Sequence, residues 1–416
     1  MKAQTLPEVI RAFDPHQPLR GEELTTWYID RPGNPAEEIK IYLQGVGLQD
    51  QPVRILFTGH TGSGKSTELN RLAVALKNQF FIVPFDVGRS LSLADLSYVD
   101  LVLGMATALF RRATEPDVLG KAPAQIAAEV WEDLLRFTES VISGPANFRQ
   151  PPANSELAAK INFLAVEFQS KFSSEATTRD AMRQRLESRL AELTDKIDLV
   201  ADLVRVKYKR PVLFLVEGTD KPDRNRARDI FLGHTYTLTA FRASVIYTFP
   251  IDLRYSGEFN LIKDSFTWHY MLPNLKVIHR DGRENPPGLD RLAAAISQRM
   301  ADKLISQEAR DLMRTLVGLV RSAAVKAIAA SHPAITEADA EAALKMERAD
   351  YLVGLRQSDY EVLRQRHADK RLSADEAVLS LLHTRALLEY INDEPWCDVH
   401  PIALPLISER PTQSGA

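Results

Sequence analysis

Residues 53–67 read VRILFTGHTGSGKST, and this stretch decides the fold of the chain. The first six residues form a short apolar run that ends at a glycine, as a buried β-strand does. The next eight fit the pattern G-x-x-x-x-G-K-[ST], with Gly59, Gly64, Lys65 and Ser66 at its fixed positions, and Thr67 follows. A strand followed directly by this pattern predicts a phosphate-binding loop.

The residue types of this loop suit a nucleoside triphosphate. Glycines permit backbone dihedrals that side chains forbid, so successive N–H groups can converge on phosphate oxygens. The following helix, expected from about residue 66 to 78, points its positive end at the same anion. Lys65 is expected to contact the β- and γ-phosphates, Ser66 to bind Mg²⁺, and Thr67 to lie beside the α- and β-phosphates. The residues predicted to bind ATP here are Gly59, Gly62, Ser63, Gly64, Lys65, Ser66 and Thr67.

Acidic residues follow a second apolar strand, in VLFLVEGTDK at residues 212–221. An acid at the end of a strand beside a phosphate-binding loop helps to hold magnesium and to polarise water. Glu217 and Asp220 are assigned this task jointly, as metal-organising and catalytic residues. Thr248 ends a further strand, and its hydroxyl could lie near the γ-phosphate or could bond to its own backbone.

Strands alternate with helices along the first two thirds of the chain, which predicts an α/β fold with a parallel sheet and helices on both faces. Seven apolar residues recur at steps of three and four and predict one long helix over residues 175–210. A helix over 225–241 and a last strand near 271–278 complete this part. Helices are then expected at 289–304, 306–330 and 336–350, followed by two helices and a hairpin. The pattern is least defined over 115–175.

Four segments follow from this pattern. They are an N-terminal extension over 1–50, a P-loop domain over 51–284 with a helical insertion at about 115–210, a helical segment over 285–354 and a C-terminal segment over 355–416.

Composition limits the function further. The formal net charge is −3, which argues against coating nucleic acid or anionic membranes by bulk charge. Cys397 is the one cysteine, so no intrachain disulfide can form, and a reducing cytoplasm is the simplest setting. No apolar run approaches the roughly 20 residues that span a bilayer.

Three segments in this order resemble the AAA+/STAND superfamily of P-loop ATPases, near the branch of origin-recognition ATPases: GHTGSGKSTEL, VLFLVEGTDK and VIYTFPIDLRYS. The resemblance covers roughly residues 20–405. It implies that Thr248 acts as a sensor of the nucleotide. WYIDRP, at residues 27–32, is similar to the segment that lies against adenine in such proteins, which implies that Tyr28 and Arg31 lie near the base.

The resemblance also implies that residues 285–354 form a helical lid and that arginine side chains report on the bound nucleotide. Arg310 in SQEARDLMRTL is the candidate from the lid, although Gln307 and Glu308 stand where related chains carry glycines; Arg321 is the alternative. Arg254 could reach a neighbouring subunit in a homo-oligomer or could pair with Asp252.

The C-terminal segment resembles a winged helix. Five basic residues there could contact DNA, or the module could contact protein: Arg364, Arg366, His367, Lys370 and Arg371.

Three functions remain open. The first is a regulatory ATPase that acts on a separate protein effector, by analogy in a bacterial defence system. The second is a DNA-bound initiator or loader, and the third is a nucleotide-binding scaffold that hardly hydrolyses.

Overall fold

A computed structural model of the chain describes residues 1–47, 51–113, 133, 136–137, 139–141, 176–313, 318–391 and 394–409. Most of the segment 115–175, expected to belong to a helical insertion, lies outside these ranges. No helix within the described ranges is long and apolar enough to cross a membrane.

A parallel sheet forms the centre of the fold. Its strands are β1 (Arg54–Thr58), β2 (Phe81–Asp86), β3 (Val212–Glu217), β4 (Ser244–Phe249) and β5 (Trp268–Met271). Their order is β2-β3-β4-β1-β5. All neighbours run parallel, so the carboxyl ends of the strands meet at one edge, where ligands bind in open α/β sheets.

Apolar clusters cover both faces of the sheet. Helices Tyr98–Ala113 and Leu190–Tyr208 pack on one face, and helices Pro35–Tyr42 and Lys65–Leu76 pack on the other. All six residues of β4 are buried, as expected for a central strand covered on both sides. The predicted α/β fold class is confirmed.

Helices follow the sheet in two further clusters. The first contains the N-terminal helix Leu6–Ala12 and the helices Pro286–Arg299, Gln307–Met313, Leu319–Ala329 and Glu337–Gly354. The second contains helices Gln357–Asp369 and Glu376–His383 and the antiparallel hairpin of β6 (Leu387–Ile391) and β7 (Pro395–Val399), which is a winged-helix-like arrangement. Residues 357–399 are called the C-terminal module below.

Three predicted elements differ from the structure. The long helix predicted over 175–210 is two helices, Ala176–Glu187 and Leu190–Tyr208. The prediction missed the break because the spacing of the apolar residues continues unchanged across the two residues between the helices. The helix over 225–241 is divided into Arg224–Arg228, a π-helical turn Asp229–Gly233 and Thr235–Thr239. The last strand is β5 and not 271–278, since Pro273 follows it closely and lacks an N–H group.

Candidate nucleotide site

The loop after β1 needs its glycines. Gly62 and Gly64 have φ of +87° and +97°, in the left-handed region that favours glycine. A Cβ on Gly59 would lie 2.8 Å from the carbonyl oxygen of Leu272 and 2.9 Å from Ser63 Oγ. Gly64 precedes the first residue of the helix Lys65–Leu76, so the amino end of that helix faces the loop. The predicted strand, loop and helix therefore occur together.

Lys65 is buried at the centre of the loop. Its Nζ donates to the carbonyl oxygens of Gly59 at 2.6 Å and His60 at 2.9 Å, and lies 2.8 Å from Asp220 Oδ2. Three donors thus meet three acceptors. Burial raises the pKa of Asp220, but the Lys65 ammonium and hydrogen bonds from Lys65 and Thr248 outweigh this and hold it below its ordinary value. Asp220 is the counter-ion of the loop lysine in this structure.

Thr248 joins β4 to the segment after β3. Its Oγ1 accepts a hydrogen bond from Thr219 N–H at 3.1 Å and also bonds to Asp220. Because β4 lies between β1 and β3, the end of β4 faces both the loop and the acid. Thr248 is buried and lies beside Asp220, where it can hold that carboxylate in place.

Glu217, at the end of β3, lies beside Ser66. Burial raises the pKa of Glu217, and the charge of Asp86 raises it further, although a hydrogen bond with Ser66 opposes both. Asp86 is opposite Glu217 in the register of β2 and β3. The sequence analysis did not single out Asp86, because only this register brings it to the site. Two carboxylates and a hydroxyl oxygen are donors that suit Mg²⁺.

A cleft of about 880 Å³ opens from the loop. Its lining includes Lys65, Ser66, Thr67, Glu217, Asp220 and Thr248 together with the N-terminal residues 14–19. Leu19 fixes this segment to the helix after the loop, since its N–H donates to Thr67 Oγ1 at 3.3 Å and its carbonyl accepts from Asn70 at 2.9 Å. The volume is within the range of small-molecule sites. The N-terminal wall was not foreseen.

Arg31 and Tyr28 lie against the loop and its helix. Arg31 donates to the carbonyl oxygens of Ser63 and Pro273 and is largely buried. Tyr28 donates to Glu68 Oε1 at 2.8 Å, and the Arg71 guanidinium stacks 3.8 Å from its ring centre. These contacts show that the segment 27–32 packs against the loop and its helix and stabilises them.

The arginines expected from the lid lie away from the cleft lining. Arg310 donates to Ser297 at 2.9 Å and to Asp302 at 2.7 Å, and Arg321 pairs with Asp14 at 2.8 Å. Arg299, at the end of the helix Pro286–Arg299, does line the cleft. Its Nε has no hydrogen-bond partner among the described residues. The sequence analysis missed Arg299.

The expected pair between Asp252 and Arg254 does not form. Asp252 Oδ2 lies 3.5 Å from Arg224 Nε, and its other oxygen lies 3.5 Å from His383 Nδ1. Arg254 stacks 4.2 Å from the centre of the Phe259 ring, and burial lowers its pKa. The predicted pairing of Asp252 with Arg254 was wrong, because the residues that contact Asp252, Arg224 and His383, are distant from it in sequence.

The chain is similar to several solved structures over most of its length. One is the Cdc6 protein of Pyrobaculum aerophilum, with 12% identity over 96% of this chain and 98% of that one and a TM-score of 0.42. Another is the ORC1 protein of Aeropyrum pernix solved with DNA, with 11% identity over 96% of each chain and a TM-score of 0.41. It is also similar to a Walker-type ATPase of Pyrococcus abyssi, with 13% identity over 95% of this chain and 99% of that one and a TM-score of 0.43. At these values the likeness assigns no function to the chain and no role to a residue. No family model and no curated protein matches the sequence.

The C-terminal module touches the loop directly. His60, at the second position of the loop, is buried, and its Nε2 accepts a hydrogen bond from Glu389 N–H of β6 at 2.8 Å. Burial, with the neighbouring Lys65 ammonium, lowers the pKa of His60 to about 3, so the ring is neutral and can accept. Ile251, which follows β4, is part of the apolar cluster of the module. These contacts connect the loop to the module.

Most of the predicted basic cluster is engaged within the module. His367 Nδ1 lies 2.7 Å from Asp398, Lys370 also pairs with Asp398, and Arg366 pairs with Asp369. Arg364 donates to the carbonyl oxygen of Ile407 at 2.9 Å. Asp398 is 1% exposed, so its pairs are internal contacts of the module. Arg371, the last member of the cluster, is exposed.

Proposed function

We propose that the chain binds ATP with Mg²⁺ in the loop and the adjoining cleft, hydrolyses it, and serves as a switch for a separate protein effector. The observation that carries this proposal is the buried pair of Lys65 and Asp220 at the opening of a cleft of about 880 Å³. Such a pair places an ammonium group that can bind a phosphate next to a carboxylate that can accept a hydrogen bond from water.

The donors of Lys65 suggest how the site responds to a nucleotide. A phosphate oxygen that binds Nζ has to replace one of its three present acceptors. The two carbonyl groups belong to the loop itself, so Asp220 is the acceptor that can leave. Asp220 then has an oxygen free to accept a hydrogen bond from water, and Thr248 still holds it in place. Phosphate binding and water activation would in this way be coupled through one side chain.

Ser66 and Glu217 are the residues that would hold Mg²⁺ together with phosphate oxygens, and Asp86 lies close to them. The raised pKa of the partly buried Glu217, with Asp86 nearby, marks a position where an added cation would be stabilised. Mg²⁺, when bound, neutralises charge on the β- and γ-phosphates. Asp220 remains a further metal-organising residue in this proposal. Arg299 and Arg310 are two separate candidates for contact with the nucleotide, and Arg299 is the one that lines the cleft.

Steady-state phosphate release tests hydrolysis. We expect Asp220→Asn and Glu217→Gln each to lower turnover by about 100-fold or more, the range for a lost acid–base or charge-organising group. Asp195→Asn, on the exposed side of the helix Leu190–Tyr208, is the matched control. Turnover at buffer level in the unchanged protein would favour a scaffold that binds without hydrolysing.

The protein effector needs a test apart from hydrolysis. We propose a homo-oligomer and contact with DNA separately. Affinity purification of the full chain beside Lys65→Ala would identify partners whose capture depends on nucleotide. A defence role would require an effector of that kind in the wild-type sample alone.

A further inference from the structure

A second cavity, of about 270 Å³, lies between the loop and the C-terminal module. Gly59, Thr61, Asp220 and Lys221 line one side, and His383 and Arg385 line the other. Thr61, Asp220 and Lys221 also line the large cleft, so the two spaces meet at the tip of the loop.

Its size and position suit a phosphate group. A volume of 270 Å³ lies below the range of roughly 300–1,000 Å³ that encloses drug-sized ligands. The nucleoside would therefore occupy the cleft of about 880 Å³, and only the end of a phosphate chain would reach the second cavity. Asp220 lines this cavity and lies 2.8 Å from Lys65 Nζ. A terminal phosphate that takes the place of Asp220 at Lys65 would thus lie at the cavity wall.

The charges in the cavity are unbalanced. Asp220 is neutralised by Lys65, and the His383 ring is directed to Asp252 at 3.5 Å. Arg385 and Lys221 are exposed, and neither forms an ion pair with any residue that the structure describes. Arg385 lies close to the loop, because its charge, after burial, contributes to the lowered pKa of both His60 and His400. Two free cations therefore face the loop tip.

The backbone of Arg385 is held in place. Its φ is +64°, its N–H donates to the carbonyl oxygen of Leu382 at 3.2 Å, and its own carbonyl accepts from Tyr351 at 3.4 Å. Arg385 is thus fixed at its backbone between the helix Glu376–His383 and β6, at the wall of the cavity.

We propose that Arg385 contacts the terminal phosphate of a nucleoside triphosphate bound in the loop, and so makes the C-terminal module part of the site. This inference rests on the proposed binding of ATP. A diphosphate ends one phosphate group earlier and would not reach Arg385. The module would therefore distinguish the triphosphate from the diphosphate within one chain.

Calorimetric titration of the full chain with the slowly hydrolysed analogue ATPγS and with ADP, both with Mg²⁺, tests the proposal. Arg385→Asn removes the cation with a residue that tolerates positive φ, and Arg385→Lys retains a charge. We expect Arg385→Asn to weaken ATPγS binding about tenfold or more, as for a lost charge-assisted hydrogen bond, and to change ADP affinity less than twofold. Arg385→Lys should weaken ATPγS less. Arg371→Asn is the control, an exposed cation of the same module.

The outcomes separate the two proposals. An unchanged affinity of Arg385→Asn for ATPγS, or an equal loss for both nucleotides, would overturn the role of Arg385 and leave ATP binding intact. Failure of the unchanged protein to bind either nucleotide would overturn the proposed function and this inference with it.

Discussion

Lys65 Nζ lies 2.8 Å from Asp220 Oδ2, and both side chains are at most 6% exposed. The pair gives the loop a stored counter-ion, which a phosphate can replace. It also means that changes to Lys65 alter the stability of the fold as well as the binding of a ligand.

Lys65→Ala should therefore be destabilising. It leaves the Asp220 carboxylate buried without its cation, which typically costs about 3–5 kcal/mol. The double variant Lys65→Ala/Asp220→Asn should lose less than the sum of the single variants, because the uncompensated charge is gone. Urea unfolding of all four proteins measures this coupling. Strictly additive losses would contradict the pair, and ATP binding should be lost in both proteins without Lys65.

Glu389 should make stability depend on pH. Burial raises its pKa to about 7 from an ordinary 4.5, and one of its oxygens has no hydrogen-bond partner among the described residues. The folded state thus favours the protonated acid, so its contribution to stability is full below pH 4.5 and is lost as the pH rises through about 7. The difference is roughly 3 kcal/mol.

Unfolding of wild type and Glu389→Gln from pH 4.5 to 8 measures this contribution. The glutamine variant should gain stability relative to wild type as the pH rises, and parallel curves would count against the assignment. His60, with a pKa of about 3, stays neutral throughout this range.

His60→Ala should loosen the contact between the loop and β6. The change leaves Glu389 N–H buried without its acceptor, at a cost of about 1–3 kcal/mol. Hydrogen exchange should become faster at the amide of Glu389, while amides in β3 keep their protection. Unchanged exchange at Glu389 would show that the bond does not hold the module.

Changes in the C-terminal basic cluster should divide into two kinds. Lys370→Ala removes one partner of the buried Asp398, which keeps its contact with His367, and should lower stability by about 1–3 kcal/mol. Arg371→Gln should change stability by less than about 0.5 kcal/mol. If the module binds DNA, Arg371→Gln should reduce affinity and the slope of its salt dependence. Negligible affinity of the unchanged protein at low salt would exclude the DNA-binding role.

The sequence by itself determined the loop, its strand and its helix. The reason is local: Gly59, Gly64, Lys65 and Ser66 act through backbone geometry and charge within eight consecutive positions. A uniformly apolar run likewise determined most of β3, and a mostly apolar run determined β4, since a strand buried on both faces has few other compositions. β5 has half-buried residues and no such run, and its position was therefore misplaced.

Only the tertiary structure decided which side chains complete the site. Asp86 reaches Glu217 through strand register, Arg299 lines the cleft while Arg310 pairs with Asp302, and His60 bonds to Glu389 across 329 positions. These contacts depend on how separate elements pack against each other, and sequence spacing within one element carries no information about them. The chemistry of the loop is thus local, whereas its counter-ion and its connection to the C-terminal module belong to the fold.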